Sequence, residues 1–360
     1  MITTVLIFLA VLSVLVIAHE FGHYIAARRA GVTVEEFGLG FPPRLTAFTD
    51  KRGTKWSFNL IPLGGFVKLK GEDSGHEKDD FAAQSKRKRA SILVAGVFMN
   101  FVLAALLYSI VSMFGAPTIL DGQDTPVFAH VLREEILILD VLQDSPMSEA
   151  GIQAGSVLLS INQNAAISEE VVRTQLAELA QNDEMAEIRV QTGKEEYVYQ
   201  VTPRYLEEAN VNGFGFSFAH TAVIRYPFPV SLWIGFKVAA EYLWLIITAF
   251  VGLIWSLLAG GGVQEALSGP VGIAQLTGQA ARLGIVTLFQ FMALLSLNLA
   301  VLNILPFPAL DGGRLLFLAI EAVRGKPVSE KVEGRIHQLG FLALMILVIL
   351  VTYRDIVRIL

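Results

Sequence analysis

Residues 2–23 read ITTVLIFLAVLSVLVIAHEFGH. No charge falls within 2–18, and crossing a bilayer takes about 20 apolar residues at a rise of about 1.5 Å each. The run predicts a transmembrane helix that carries His19, Glu20 and His23 at one end. Positions i and i+4 of a helix share a face about 6 Å apart along the axis, so both imidazoles reach one ion. Glu20, beside them, is suited to holding a water rather than the metal. H-E-x-x-H on a helix is a zinc-binding pattern with a general base built in. Charged groups at mid-membrane cost about 2.5–3.5 kcal/mol each. A merely satisfied polar cluster offers nothing against that cost, so zinc ligation is the expectation.

Composition agrees with a membrane setting. The chain has 360 residues, 53% hydrophobic and 17% charged, whereas soluble domains run about 45–50% and about 25%. The excess lies in uncharged runs at 2–18, 90–120, 283–310 and 339–353, with a fifth, borderline run at 242–258. Disorder and collagen-like composition are excluded. Zero Cys removes disulfides, thiolate metal sites, iron–sulfur clusters and Cys nucleophiles, so a metal must be held by His, Asp or Glu. The first run has no basic region before it, and His19-Glu20 stands where a cleavage site would be, which argues against a signal peptide.

Charge sets the orientation. Residues 28–89 hold 13 Lys/Arg against 8 Asp/Glu, 314–338 hold 5 against 3, and 115–229 hold 6 against 17. Basic residues near span ends mark the cytoplasmic side. Arg28, Arg29 and Lys86-Arg87-Lys88-Arg89 therefore place 28–89 and 314–338 in the cytoplasm, the acidic middle region outside, and the N-terminus outside. The basic run at 86–89 is a topology and lipid-headgroup signal, and the acidic insert argues against nucleic acid.

Residues 125–205 read as a small α/β domain, with strands at 136–142, 156–161 and 197–202 and a helix at 168–181. The string DSPMSEAGIQAG at 144–155 resembles the bacterial PDZ pattern SPAxxAGLxxGDxIxxING. Ser156 stands where that pattern has Asp, and Asn162-Gln163 where it has Asn-Gly. Binding of peptide tails in a groove and a size filter over the membrane site both remain open for this domain.

Catalytic zinc takes three protein ligands and leaves a position for water. At membrane depth, Glu241 and Asp311 are the candidates for the third. Asp311 lies in NILPFPALDGG at 303–313, whose prolines and glycines break the helix just before it. Irregular backbone at that depth is tolerated where it is buried in protein or lines a wet cavity. His19 and Asp311 both fall toward the exit ends of their spans, so they meet when those spans run in the same direction. One antiparallel span, 90–114, satisfies this, provided 230–258 does not cross. Lys237 and Glu241 at i,i+4 and Gly260-Gly261-Gly262 suit a helix lying along or dipping into the outer interface. Between the first two spans, WSFNLIPLGGFVKL at 56–69 reads as strand, Gly turn, strand, with Pro62 at an edge or turn.

HEFGH on the first span, the PDZ-like insert and N-x-x-P-x-P-x-L-D-G-G on a later span together resemble the site-2 protease family of intramembrane zinc metalloproteases, in its bacterial sigma E-regulating branch. Ser268-Gly269-Pro270-Val271-Gly272-Ile273-Ala274 is similar to that group's strings, and the likeness covers nearly the whole chain. The departure is size: one PDZ domain fits here, against two in the enterobacterial form. The resemblance implies that His19, His23 and Asp311 bind one Zn2+ per chain, that Glu20 is the catalytic acid/base, and that Asn303 contacts the substrate backbone or the developing oxyanion. It implies that Gly64, Gly65 and Phe66 belong to a membrane-associated β-hairpin that binds extended substrate by strand addition. It also implies a multi-pass hydrolase of the bacterial inner membrane that cuts single-span proteins in regulated intramembrane proteolysis, such as anti-sigma factors or remnant signal peptides.

The expected architecture is a polytopic α-helical membrane protein of about four transmembrane helices with a membrane-associated β-hairpin and an extracytoplasmic α/β PDZ domain. Its parts are a first helix at 1–27, the hairpin loop at 28–89, a second helix at 90–116 and the PDZ domain at 125–205. There follow an interfacial amphipathic or re-entrant region at 206–282, a third transmembrane segment at 283–325 and a fourth helix at 335–354. His76, His130, His220 and His337 stand at no ligand spacing and are expected at the surface. No G-x-S-x-G, Walker A or G-x-G-x-x-G string is present. A zinc-binding membrane adaptor would have no need of Glu20, and a transporter would show inverted repeats in its spans, which are not seen.

Overall fold

The computed structural model describes residues 2–72, 77–119, 128–193, 195–207, 210–260 and 269–359. His76, Gly261, Gly262 and Ser268, named above, lie outside the described residues, as do 125–127 of the expected insert. The chain divides into two compact units. One comprises Met1–Tyr108, Ile234–Ala281 and Leu288–Leu360, and the other Ser109–Trp233 with Arg282–Thr287.

The chain opens with α1 (Ile2–Ala30), whose last turn carries Arg28 and Arg29, cations favoured by the helix dipole at that end. Gly31, at a φ of 84°, stops it, and Val32 N–H closes on Ala27 O at 2.9 Å. Two strands follow, β1 (Val34–Thr49) and β2 (Lys55–Leu69), and then α2 (Lys86–Phe114). Here the structure corrects the expected hairpin. The two halves of 56–69 do not pair with each other. Residues 36–39 of β1 lie between 55–58 and 65–68 of β2, while 44–49 pair with 55–59. Gly64, at a φ of 112°, lies in the bend that divides β2. The outer edge of 65–69 pairs with no described strand.

The second unit holds β3 (Ala116–Ile119), β4 (His130–Val141), α3 (Pro146–Glu149), β5 (Val157–Ile161), β6 (Asn164–Ala165), α4 (Glu169–Gln181), β7 (Ala186–Thr192), β8 (Glu195–Val201), β9 (Arg204–Leu206), β10 (Val211–Gly213) and β11 (Phe216–Arg225). Its main sheet runs β3-β11-β4-β5-β7-β8, with β6 on β5. Ser145 and Ser168 cap α3 and α4. Met147 and Ile152, from the PDZ-like string, join Ile136, Ile138, Leu158 and Ile188 in one buried core. The expected boundary at 205 is too early: β11 pairs with both β3 and β4, so residues up to 225 belong to the sheet and not to an interfacial region.

Beyond it come α5 (Phe228–Leu258), α6 (Pro270–Leu283), α7 (Ile285–Ile304), α8 (Asp311–Arg324) and α9 (Glu330–Ile359). The segment expected as one third span is two helices, because the Pro-rich loop at 305–310 ends α7 before α8 begins. Five described helices are long and apolar enough to cross a membrane by length and composition, namely Ile2–Ala30, Lys86–Phe114, Phe228–Ser256, Ile285–Ile304 and Lys331–Val357. The expectation of about four did not include the third of these. Within it no proline follows Pro229 at its start, so the helix propagates unbroken for 31 residues. Its Ala239 and Ile246 pack in a core with Val11, Leu15, Leu107 and Leu297 from α1, α2 and α7. Elsewhere apolar side chains stay open to the surroundings, among them Leu342, Ile346 and Leu350 of α9 and Trp244 and Trp255 of α5, as in a polytopic membrane protein whose solvent is lipid.

Candidate metal centre

The i,i+4 spacing on α1 brings the His19 and His23 Nε2 atoms to 3.1 Å of each other, with the rings edge to face. Asp311 Oδ2 lies 3.0 Å from His19 Nε2 and 3.1 Å from His23 Nε2. Both imidazoles are buried. Glu241, the other candidate on sequence, is exposed and faces Lys237 at 3.7 Å. The residues around the cluster fit a cation. His23 Nδ1 donates to Ile92 O at 2.8 Å, which leaves the lone pair on Nε2, inside the cluster. Two imidazole nitrogens and a carboxylate oxygen thus converge on one point, the donor chemistry of zinc.

The backbone explains the convergence. Gly22 of α1 and Gly96 of α2 let the two helices touch. A Cβ on Gly96 would stand 2.7 Å from His19 Cε1 and overlap His23, and one on Gly22 would overlap Ala95 and stand 2.8 Å from Met99 Cβ. After α7, Leu305, Phe307 and Leu310 make short-range backbone bonds that fold the loop tightly. Gly312 and Gly313 then start α8 so close to this loop that a Cβ on Gly313 would lie 2.5 Å from Phe307 O. Asp311 stands in the first turn of α8, where the helix dipole favours an anion.

A cavity of about 210 Å³ opens at the cluster, and Glu20 lines it with Phe66, Val67, Glu72 and Arg314. Arg314 pairs with Glu72. Gly65 adjoins Glu20, since a Cβ there would be 3.8 Å from Glu20 Cγ, whereas Gly64 packs on Val16 outside the lining. The Asn303 amide Nδ2 lies 3.3 Å from His19 Nε2. His19, Glu20, His23, Phe66 and Asp311 therefore share the cavity, with Asn303 and Gly65 at its margin.

Two residues were missed in the sequence. Asn100, buried on α2, places its side-chain amide 3.3 Å from His19 Nδ1. Its signal was the one side-chain amide in the uncharged run at 90–120. His337 is not the surface residue expected: on α9, it accepts the Ala309 backbone N–H at 2.9 Å. His130 is exposed, and His220 faces Glu134 at 3.4 Å.

A sequence model of peptidase family M50 matches residues 7–347. The chain belongs to peptidase family M50. This is the site-2 protease family, and the M50 chain is a zinc-dependent protease. It is 31% identical to the zinc metalloprotease RasP of Oceanobacillus iheyensis, over 99% of each chain. It is 27% identical to the regulator of sigma E protease of Haemophilus influenzae, over 98% of each.

Proposed function

We propose that this M50 protein is an intramembrane zinc endopeptidase that cuts single-span membrane proteins within or near the bilayer. The observation that carries the reading is the meeting of His19 and His23 from a candidate span with Asp311 from the first turn of α8, around a cavity that Glu20 lines. His19, His23 and Asp311 hold one zinc ion. When bound, zinc supplies Lewis acidity, lowering the pKa of water toward about 7 and polarising a carbonyl. Glu20 takes a proton from water as it attacks the scissile carbonyl and passes it to the leaving amide nitrogen. The Asn303 amide N–H donates to the carbonyl oxygen as its charge develops.

A substrate helix hides its amides, so it must unwind before cleavage. The open edge of 65–69 offers backbone partners to an extended segment. Gly65, with no side chain, leaves room beside Glu20, and Phe66 contacts the guest. The acidic insert is a PDZ domain on the extracytoplasmic side of the bacterial inner membrane and binds peptide or substrate ectodomain. Substrates of this kind include trimmed anti-sigma factors and remnant signal peptides. The test is purified full chain in liposomes given a transmembrane reporter. Wild type is expected to cut it, and Glu20→Gln to retain zinc without cutting. Equal cleavage by both would remove Glu20 from the chemistry, and none by zinc-loaded wild type would sink the intramembrane reading.

A further inference from the structure

The loop that delivers Asp311 is held from outside by a helix that contributes no ligand. Ala309 adopts a φ of 83°, a left-handed conformation that a residue with a Cβ keeps only where its surroundings over-determine it. Its neighbours close the loop through local backbone bonds, Phe307 N–H to Leu305 O at 2.6 Å and Leu310 N–H to Phe307 O at 3.2 Å. The Ala309 N–H instead leaves the loop and meets His337 Nδ1 on α9 at 2.9 Å. Gly340, three residues further along α9, is buried against the same loop: a Cβ there would lie 2.6 Å from Pro308 O. The imidazole is itself oriented. Its Nε2 faces Glu333 Oε1 at 3.9 Å, one turn earlier, and the Phe317 ring of α8 packs on it at 5.4 Å between centroids. A carboxylate on the Nε2 side favours the tautomer that keeps the Nδ1 lone pair for Ala309.

We propose that His337 is a positioning residue for the metal centre: through the Ala309 N–H it fixes the backbone two residues before Asp311 and so sets where that carboxylate stands relative to His19 and His23. It touches neither substrate nor reacting atoms. The inference rests on the reading of Asp311 as a zinc ligand given under Proposed function. Outer partners of metal ligands typically change affinity about 10–100-fold when removed, and a site tolerates errors of only about 0.5 Å.

The experiment compares full-length wild type, His337→Leu, His337→Asn and Asp311→Asn in detergent. Each is read by zinc competition against a chelator and by amide hydrogen exchange at Ala309. His337→Leu is expected to weaken zinc about 10–100-fold and to lose protection at Ala309, with exchange in the β4 and β5 core unchanged. His337→Asn, whose amide oxygen accepts from nearly the same place as Nδ1, is expected to restore most of both. Wild-type zinc affinity and protection in His337→Leu would overturn the proposal. Should that variant fail to fold, a folded His337→Asn that loses both would overturn it and one that keeps both would support it. Zinc bound equally by wild type and Asp311→Asn would instead sink the ligand assignment, and the exchange at Ala309 would still judge the hydrogen bond.

Discussion

Asn100 shows how a single amide can decide the chemistry of a ligand. With His19 Nε2 turned into the cluster, Nδ1 carries the proton and needs an acceptor. The Asn100 amide stands 3.3 Å away, and because the two ends of an amide are exchangeable by rotation, its oxygen serves. Asn100→Leu, close in volume but without an acceptor, is expected to weaken zinc about 10–100-fold in chelator competition. Asn100→Asp, which keeps the acceptor, is expected to retain most of the affinity. Wild-type affinity in Asn100→Leu would show that the imidazole needs no such partner. The contrast with the ligands explains what a sequence can disclose. His19, Glu20 and His23 were legible because one helical turn brings them together. Asp311 was legible only as one of two carboxylates, and the fold separated it from Glu241. Asn100 and His337 were not legible as site residues, since their partners lie 81 and 28 positions away and no local spacing encodes such contacts.

Among elements, the contact of α1 with α2 matters most, because it decides whether the imidazoles stay where α1 puts them. Gly96 gives the space. Gly96→Val would press a branched side chain onto both rings, and overpacking of this kind costs about 1–3 kcal/mol. The expected outcome is a folded protein with a lower melting temperature and no measurable zinc, checked by thermal unfolding and metal analysis of the same sample. Zinc retained at wild-type level would mean that the helices separate without moving the ligands. The strands illustrate the opposite limit of sequence reading. Apolar alternation and a Gly turn marked 56–69 as strand. Pairing partners depend on the register of another segment, so nothing local showed that 36–39 would be flanked on both sides. The string at 144–155 was readable for a different reason: its Ser145 cap and its turn glycines, Gly151 and Gly155, each do their work within a few residues.

At the scale of the whole molecule, the number of crossings turns on the side by which α5 leaves the bilayer, and α6 is the element it has to reach. His337 stands at the level of the Asp311 loop, and Asp355 lies 18 residues later on α9, about 27 Å along the axis. Asp355 accepts the N–H groups of Gly269 and Gly272 at 3.1 and 2.7 Å, and Gly278 of α6 packs against Thr4, at the start of α1. Gly272 and Gly278 of α6 thus lie toward the end of the bundle remote from the metal cluster. An α5 that enters and leaves by one side, as Lys237 and Glu241 suggested on sequence, would bring the chain to that end without a further crossing. The chain contains no cysteine, so single substitutions report cleanly. Gly260→Cys and Tyr205→Cys are both expected to react with an impermeant maleimide from outside intact cells, and Lys51→Cys only after permeabilisation. Labelling of Gly260→Cys from the cytoplasm alone would make α5 a true crossing.

The strand at 65–69 pairs on one flank with its own chain, and on the other with no described strand. A guest laid along that unpaired flank, as proposed above, would be met through its peptide groups, which every polypeptide offers alike. Spelling then matters little, and selection passes to how readily a guest helix frays. Glycine or proline near the cut site should hasten turnover, and a stiff leucine-rich guest of equal length should be spared. On this view the enzyme is a gauge of helical fragility rather than a reader of letters.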